Sequence, residues 1–431
     1  MTVQTRIDRA GCGCDALDNR KTLVSIDEAL ARIARTARPV RETEEIPLAE
    51  ACDRILADAI CAQSAAPPFD NSAMDGYAIN TASLTGEGPW YLPVVTRIAA
   101  GQETQGPLAQ GPLAQGTAAQ IFTGAPIPSN ADAVVMQENV QRIDRAIIIS
   151  HKVKSGVHIR LAGEDMAKGQ TVVPAGRQLS ARDIAACAAA GAASVRVWRR
   201  VRVALLVTGN EVNMTGQPRN RAGIWDVNTP MLSAAIATPG VRLVDVQTAK
   251  DNRDALRQQI ADLAERVDLI VTTGGISVGE EDHVKPALGD LGVAMAFSGV
   301  AIKPGKPVSF GRLGGAHWLG LPGNPLAAYV TWHLFGTALC QTLAGCTAAP
   351  STRRHVVLSR PLRHTYGRCE LRLAERVGFD GSGREVVRFD DATHSGRVAR
   401  LPAADGVILI PAETEILPEG ALIDFMPFYV S

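Results

Sequence analysis

Val201-Arg202-Val203-Ala204-Leu205-Leu206-Val207-Thr208-Gly209-Asn210-Glu211 carries an apolar run that stops at a hydroxyl, a glycine, an amide and a carboxylate. A strand wet on one face would alternate; a continuous apolar run belongs to a strand covered on both faces, as in a parallel sheet flanked by helices. Downstream, Asn228 to Ala237 reads as helix, Val241 to Val246 as strand, Arg253 to Arg266 as helix and Asp268 to Thr273 as strand. Strand His317 to Leu321 and a helix from Pro325 to about Leu343 complete the unit. Such alternation predicts an α/β domain with a parallel-rich sheet.

In open parallel sheets, ligands bind in the crevice beyond the carboxyl ends of the strands. Four ends meet on that rim here: Thr208-Gly209-Asn210-Glu211, Asp251, Gly274-Gly275-Ile276-Ser277-Val278-Gly279, and Pro322-Gly323-Asn324-Pro325. The glycines at 274, 275 and 279 leave backbone N–H groups open to an anion and Ser277 adds a hydroxyl; a turn without a ligand fits the same residues. The spacing is neither a Walker A loop nor a dinucleotide fingerprint. Glu280, Glu281 and Asp282 follow at once, and Glu211, Asp226 and Asp251 come from neighbouring strand ends. Acids beside an anion receptor repel it unless a hard cation such as Mg²⁺ bridges them; otherwise they are helix caps or solvated charges. Lys303 and Lys306 bracket Pro304-Gly305, as solvated cations or as a receptor for an oxyanion.

Elsewhere, Ser25 to Ala37 has a helical period, with Ser25 as N-cap and Ile26, Ala29, Leu30 and Ile33 on one face expected to pack on its own domain. Pro89 to Lys154 is β-rich and reads as an insertion, because Gln178 to Gly191 is helical again. Strands at Arg354 to Ser359, Leu371 to Val377, Val386 to Phe389 and Gly406 to Pro411 predict a small terminal β-barrel or sandwich. The basic run Arg196 to Arg202 alternates with apolar residues and reads as edge-strand protection. Gly106 to Gln110 repeats as Gly111 to Gln115, a small duplication to which no function is assigned.

At 431 residues the chain should hold about three domains. Its formal charge of zero argues against nucleic acid as a partner. No apolar run is long enough to cross a bilayer and the start, Met1 to Arg9, is polar, so a cytoplasmic protein is expected. Eight cysteines form no disulfide framework, and Cys12 and Cys14 lack the further ligands of a tetrahedral metal site.

A second segment, Pro67-Pro68-Phe69-Asp70-Asn71-Ser72-Ala73-Met74-Asp75-Gly76-Tyr77-Ala78, packs turn formers, acids, an amide and a hydroxyl together. It is either a capped turn or a rigid binding loop. The segment resembles the signature of the molybdopterin molybdotransferases, the MoeA family that includes the gephyrin E domain. Further matches follow in family order at Thr123-Gly124-Ala125-Pro126, Gly163-Glu164-Asp165, Thr208-Gly209-Asn210-Glu211, the glycine loop, Lys303-Pro304-Gly305-Lys306-Pro307 and Gly320-Leu321-Pro322-Gly323-Asn324-Pro325.

The organisation expected on this basis is a multidomain α/β plus β chain. A flexible tail (1–20) precedes an N-terminal mixed domain of two segments (21–75 and 163–197) carrying an inserted β-rich domain (76–162). A MogA-like α/β domain (198–348) and a C-terminal β-barrel (349–431) follow. The resemblance implies that molybdate is inserted at the dithiolene of adenylylated molybdopterin with release of AMP. It assigns Asp75, Asp165, Glu211, Asp251, Asp282, Lys303 and Lys306 to catalysis, with Glu211 and Asp282 as anchors for metal or pterin. Thr123, Gly274, Gly275, Ser277, Gly279, Pro322, Gly323 and Asn324 would bind the substrate.

It also implies a homodimer with a shared cleft, the Asp75 loop facing the α/β domain of the other protomer. A molybdopterin adenylyltransferase and molybdoenzyme maturation proteins are implied partners. Three positions depart from the family pattern: Asn210 stands where a second acid is common, Trp225 replaces a tyrosine, and His283 takes a frequently aromatic place. The alternatives are a molybdopterin adenylyltransferase, which would lack the Asp75 segment and the terminal β domain, a gephyrin-like scaffold, and a tungstate-handling paralogue.

Overall fold

The computed structural model describes residues 23–101, 112–209, 211–214, 216, 221, 223–250, 252–276, 283–347, 353–394 and 396–428. Cys12, Cys14, Asn210, Asp251, Ser277, Gly279, Glu280, Glu281, Asp282 and most of the 106–115 duplication lie outside the described residues.

Val201–Thr208 forms a strand of a six-stranded sheet in the order Val241–Ala249, Val201–Thr208, Leu269–Thr273, Ala316–Leu321, Ser309–Leu313, Ala294–Ser298. The first four run parallel; the last two add antiparallel. Burial on both faces explains the unbroken apolar run. Val203, Leu205 and Val207 pack with Leu232, Phe310 and Phe335, while Ala204 and Leu206 pack with Leu256, Ile260 and Trp318. The antiparallel edge went unread because Ala294–Ser298 is short and largely exposed.

The predicted helix from Pro325 is interrupted: Pro325–Thr331 and Thr337–Leu343 are joined by a π-helical turn, Trp332–Gly336. The hydroxyl of Thr331 donates to Ala327 O at 2.7 Å and that of Thr337 to His333 O at 2.6 Å. Hydroxyls that take main-chain carbonyls in this way loosen the regular ladder. Arg199 and Arg202 protect no edge, since both reach Asp268 across the central strands, at 2.8 and 3.5 Å.

The helix Ile26–Thr36 is capped by Ser25, which accepts from Glu28 N. It does not pack within its own segment as expected: Ile26, Ala29 and Ile33 join the core beneath the α/β sheet. Beyond it, segments on either side of residues 76–149 pair antiparallel three times: Thr43–Pro47 with Ser194–Trp198, Ile60–Cys61 with Thr171–Val173, and Asn71–Ser72 with Ile159–Arg160. Between them lies a six-stranded sheet ordered Ala133–Met136, Gly76–Ile79, Ala118–Ile121, Trp90–Ile98, Ala146–Ile149, Val140–Ile143.

The chain ends in a closed barrel. Arg354–Leu358, Glu385–Phe389, Cys369–Phe379, Gly406–Ile410 and Leu422–Pro427 pair in a ring that the Cys369–Phe379 to Gly406–Ile410 ladder completes. One barrel wall, with Cys369, Leu371, Leu373 and Phe428, shares the core of the α/β sheet. Closure removes the sheet edges, and the shared core fixes the barrel against the crevice.

Candidate active site

The carboxyl ends of the parallel strands open into a cleft of about 630 Å³. Its lining includes Glu211, Gly274, Gly275, Lys303, Lys306, Pro322, Gly323 and Asn324, which the sequence had assigned to one site. Val207 and Thr208 at the end of the central strand sit at its floor.

Buried polar contacts fix that floor. Asn228 Nδ2 donates to Gly323 O at 2.7 Å and to Thr273 Oγ1 at 3.1 Å, and the Thr273 hydroxyl donates to Pro322 O at 3.0 Å. Gly274 has φ +89, and a Cβ there would stand 2.7 Å from Thr208 O. A side chain is therefore excluded by both backbone conformation and space. Ile224–Trp225 pairs with Val212–Asn213 at the mouth, and Ile224 N donates to Glu211 O at 2.9 Å, so the backbone that carries Glu211 is braced. Trp225, 44% exposed, lines the mouth with its indole. Asp226 also lines the cleft, and its carboxylate accepts from Thr229 N at 2.9 Å in the first turn of the helix Asn228–Ile236.

Lys303 and Lys306 stand exposed on either side of a buried Pro304-Gly305 turn. Gly305 has φ +108, and a Cβ would meet Thr331 Cγ2 at 2.5 Å. The turn is thus wedged against a core helix, which holds two like charges on one wall. Two further groups reach the cleft from the barrel, Arg368 and Thr393. Arg368 donates to Ile302 O at 3.2 Å. Neither was foreseen, because they lie beyond the last family motif; Arg368 follows a glycine, Gly367 with φ +141, at the entrance to a barrel strand, and that is the one signal available.

Asp75, Thr123 and Asp165 do not line this cleft. They gather in a second constellation. Asp75 Oδ1 accepts from Thr123 N at 2.8 Å and from its hydroxyl at 2.7 Å. Those two bonds, the backbone one first, hold the carboxyl below its ordinary range although it is exposed. Ser72 exchanges backbone hydrogen bonds with the 123–126 turn, Asp165 N donates to Ala66 O at 3.0 Å, and Ala162 N donates to Asp70 Oδ1 at 2.7 Å. Three motifs distant in sequence thus form one knot. Phe69, Met74 and Leu161 on and around it are 45%, 40% and 58% exposed.

Two family models match the chain. The MoeA N-terminal region (domain I and II) covers residues 24–191, and a probable molybdopterin binding domain covers residues 204–341. A molybdopterin molybdenumtransferase of Haemophilus influenzae is 35% identical over 324 residues, covering 75% of this chain and 78% of the relative. Molybdopterin molybdenumtransferase 2 of Mycobacterium tuberculosis is 33% identical over 401 residues, covering 91% of this chain and 95% of the relative. Among solved structures, a molybdopterin biosynthesis MoeA protein of Pyrococcus horikoshii superposes with a TM-score of 0.77 at 28% identity, over 95% of this chain and all (100%) of that one. With motifs, fold and cleft in agreement with these relatives, the chain belongs to the molybdopterin molybdenumtransferase family.

Proposed function

We propose that the chain inserts molybdate at the dithiolene sulfurs of adenylylated molybdopterin, releasing AMP and active molybdenum cofactor. It is a transferase of molybdenum cofactor biosynthesis, and molybdopterin and molybdate are its substrates. The observation that carries this reading is the meeting of Lys303, Lys306 and Arg368 with the Gly274-Gly275 turn and Glu211 in one cleft. Fixed cations facing a low-dielectric floor neutralise an oxyanion and the charge that shifts during transfer. The exposed Trp225 indole offers a flat apolar surface at the mouth, suited to a fused aromatic ring.

No protein nucleophile is required, since the thiolates that capture the metal belong to the substrate. Accordingly, none of the described cleft residues is a cysteine, and burial pushes the Cys340 and Cys369 thiols up to about 12.

Magnesium fits the donor set. Among the described residues no three possible ligands cluster, but Glu211 stands at the cleft mouth, and Mg²⁺ takes one or two carboxylates with the remainder from water and phosphate. Asp282 is the second acid proposed to hold it, Asp251 is proposed to assist, and Ser277 and Gly279 are proposed to bind the phosphate. When bound, the ion screens phosphate charge against these acids.

The functional unit proposed is a homodimer in which the Asp75 knot of one chain closes the cleft of the other, Asp75 positioning molybdate, with Thr123 and Asp165 beside it. Its support is an exposed acid on a rigid loop among exposed Phe69, Met74 and Leu161, outside its own chain's cleft. The domain division proposed keeps the boundaries given above, and the compartment proposed is the cytoplasm, with an adenylyltransferase supplying the substrate. Among the described residues no helix is long and apolar enough to cross a membrane.

The test is to incubate purified protein with adenylylated molybdopterin, molybdate and Mg²⁺, following AMP release and reactivation of a cofactor-free molybdoenzyme. Both are expected. AMP release without reactivation would reduce the activity to hydrolysis and overturn the reading.

A further inference from the structure

Behind Lys303 lies a buried acid that the cleft itself does not expose. Glu370 is 2% exposed, on the barrel strand Cys369–Phe379. The two-residue strand Ile302–Lys303 runs parallel to that strand and pairs Lys303 directly with Glu370. The carboxylate is surrounded by cationic and polar groups. Lys303 Nζ lies 3.6 Å from Oε1, Arg372 NH2 donates to Oε2 at 3.1 Å, Thr393 N donates to Oε1 at 3.3 Å, and His364 Nε2 lies 3.6 Å from Oε2.

A buried carboxylate without partners would be strongly disfavoured, so this one persists because its neighbours answer it. Arg372 is buried and turned inward, with a second donation to Arg363 O at 2.7 Å. Lys303 is different, since its side chain is half exposed and lines the cleft. An ammonium has three donors. At 3.6 Å the pairing with Glu370 is an ion pair that leaves those donors to a guest, and holding the tip of a long, flexible side chain beside a fixed charge reduces the rotamer freedom that a bound oxyanion would otherwise have to quench. The same oxygen accepts from the backbone of Thr393, so one carboxylate registers two cleft groups and ties them to the barrel.

We infer that Glu370 is a positioning residue for the oxyanion receptor, acting through Lys303 and Thr393, so that the barrel sets the geometry at which molybdate is held. This rests on the proposed function above. It is distinct from a purely structural role in its readout, which is the dependence on molybdate alone and not the dependence on the pterin substrate.

The experiment measures cofactor formation against molybdate and, separately, against adenylylated molybdopterin for the full chain, Glu370→Gln, Lys303→Met and the double variant. For Glu370→Gln, KM for molybdate is expected to rise about ten-fold, the scale of one lost charge-assisted contact, with KM for the pterin substrate unchanged. In the Lys303→Met background the same substitution should add little, as coupled residues are non-additive. An unchanged molybdate KM in folded Glu370→Gln, or a full additional loss in the double variant, overturns the inference. If Glu370→Gln does not fold, Glu370→Asp keeps the charge and draws the carboxylate back by one methylene from Lys303 and Thr393; it should raise the molybdate KM with the pterin KM unchanged, and an unchanged molybdate KM overturns the inference equally. Absence of cofactor formation by the unsubstituted chain would instead defeat the proposed function, so the two failures are distinguishable.

Discussion

Lys303 and Lys306 stand on a turn buried at Pro304 and Gly305, backed by a core helix and flanked by the barrel, whereas Asp75 is an exposed acid whose carboxylate is clasped by the backbone and hydroxyl of Thr123. The lysine turn is held by burial against a core helix; the Asp75 carboxylate is held by the backbone and hydroxyl donors of Thr123. A cleft can bind a guest unaided, but an exposed acid in open solvent has little electrostatic reach until something covers it. The contrast supports the dimer proposed, in which another chain would complete the site that the knot half supplies.

Substitutions should separate the two regions by size of effect. Lys306 makes no ion pair among the described residues, so Lys306→Ala should leave folding intact and lower turnover by about two orders of magnitude, as for loss of a preorganised charge. Steady-state turnover and hydrodynamic size check it; loss of the fold would mean that the lysine is structural. Gly305→Ala should act on stability and turnover together. The strained φ and the Thr331 contact predict a loss of about 1–3 kcal/mol, read by denaturant unfolding, and a displaced lysine pair.

Acid should weaken the cleft wall through Glu370. Burial raises its carboxyl, but Arg372 first, then Thr393 and Lys303, more than reverse this and leave it below its ordinary 4.5. The folded chain then binds fewer protons than the unfolded one, so the contribution is complete above the unfolded value and is lost as pH falls through the folded value. The stability difference between the unsubstituted chain and Glu370→Gln should therefore shrink on acidification below about 4.5, and a constant gap would contradict it. The smallest effect belongs to the knot: Thr123→Val keeps the N–H bond to Asp75 and removes the hydroxyl. The Asp75 titration followed by carboxyl NMR should move only part of the way to its ordinary value.

The sequence revealed the two regions unequally. The strand ends that form the cleft were legible because a continuous apolar run such as Val201 to Val207 tolerates one environment, and the residue that ends it must face the rim. Ser72, Asp75 and Gly76 were legible as a rigid loop, but nothing in their spacing said that Thr123 would clasp Asp75 or that the knot would lie outside the cleft of its own chain. Arg368, Thr393 and Glu370 escaped notice because they depend on how the barrel docks, through a core shared by Leu371 and Phe428, and such packing leaves no short motif. The π-helical turn at Trp332 was hidden for a related reason, since Thr331 and Thr337 read as ordinary helix residues until their hydroxyls choose partners.

The central claim is that cleft and knot meet only between chains. Asp75→Ala and Lys306→Ala chains, each expected to be strongly impaired alone, should be co-expressed and the mixed population assayed for cofactor formation. With random pairing half the dimers are mixed and each holds one intact site of two, so about a quarter of the unsubstituted activity should return. No recovery from a population shown to contain mixed dimers would contradict the account and return both groups to a single chain.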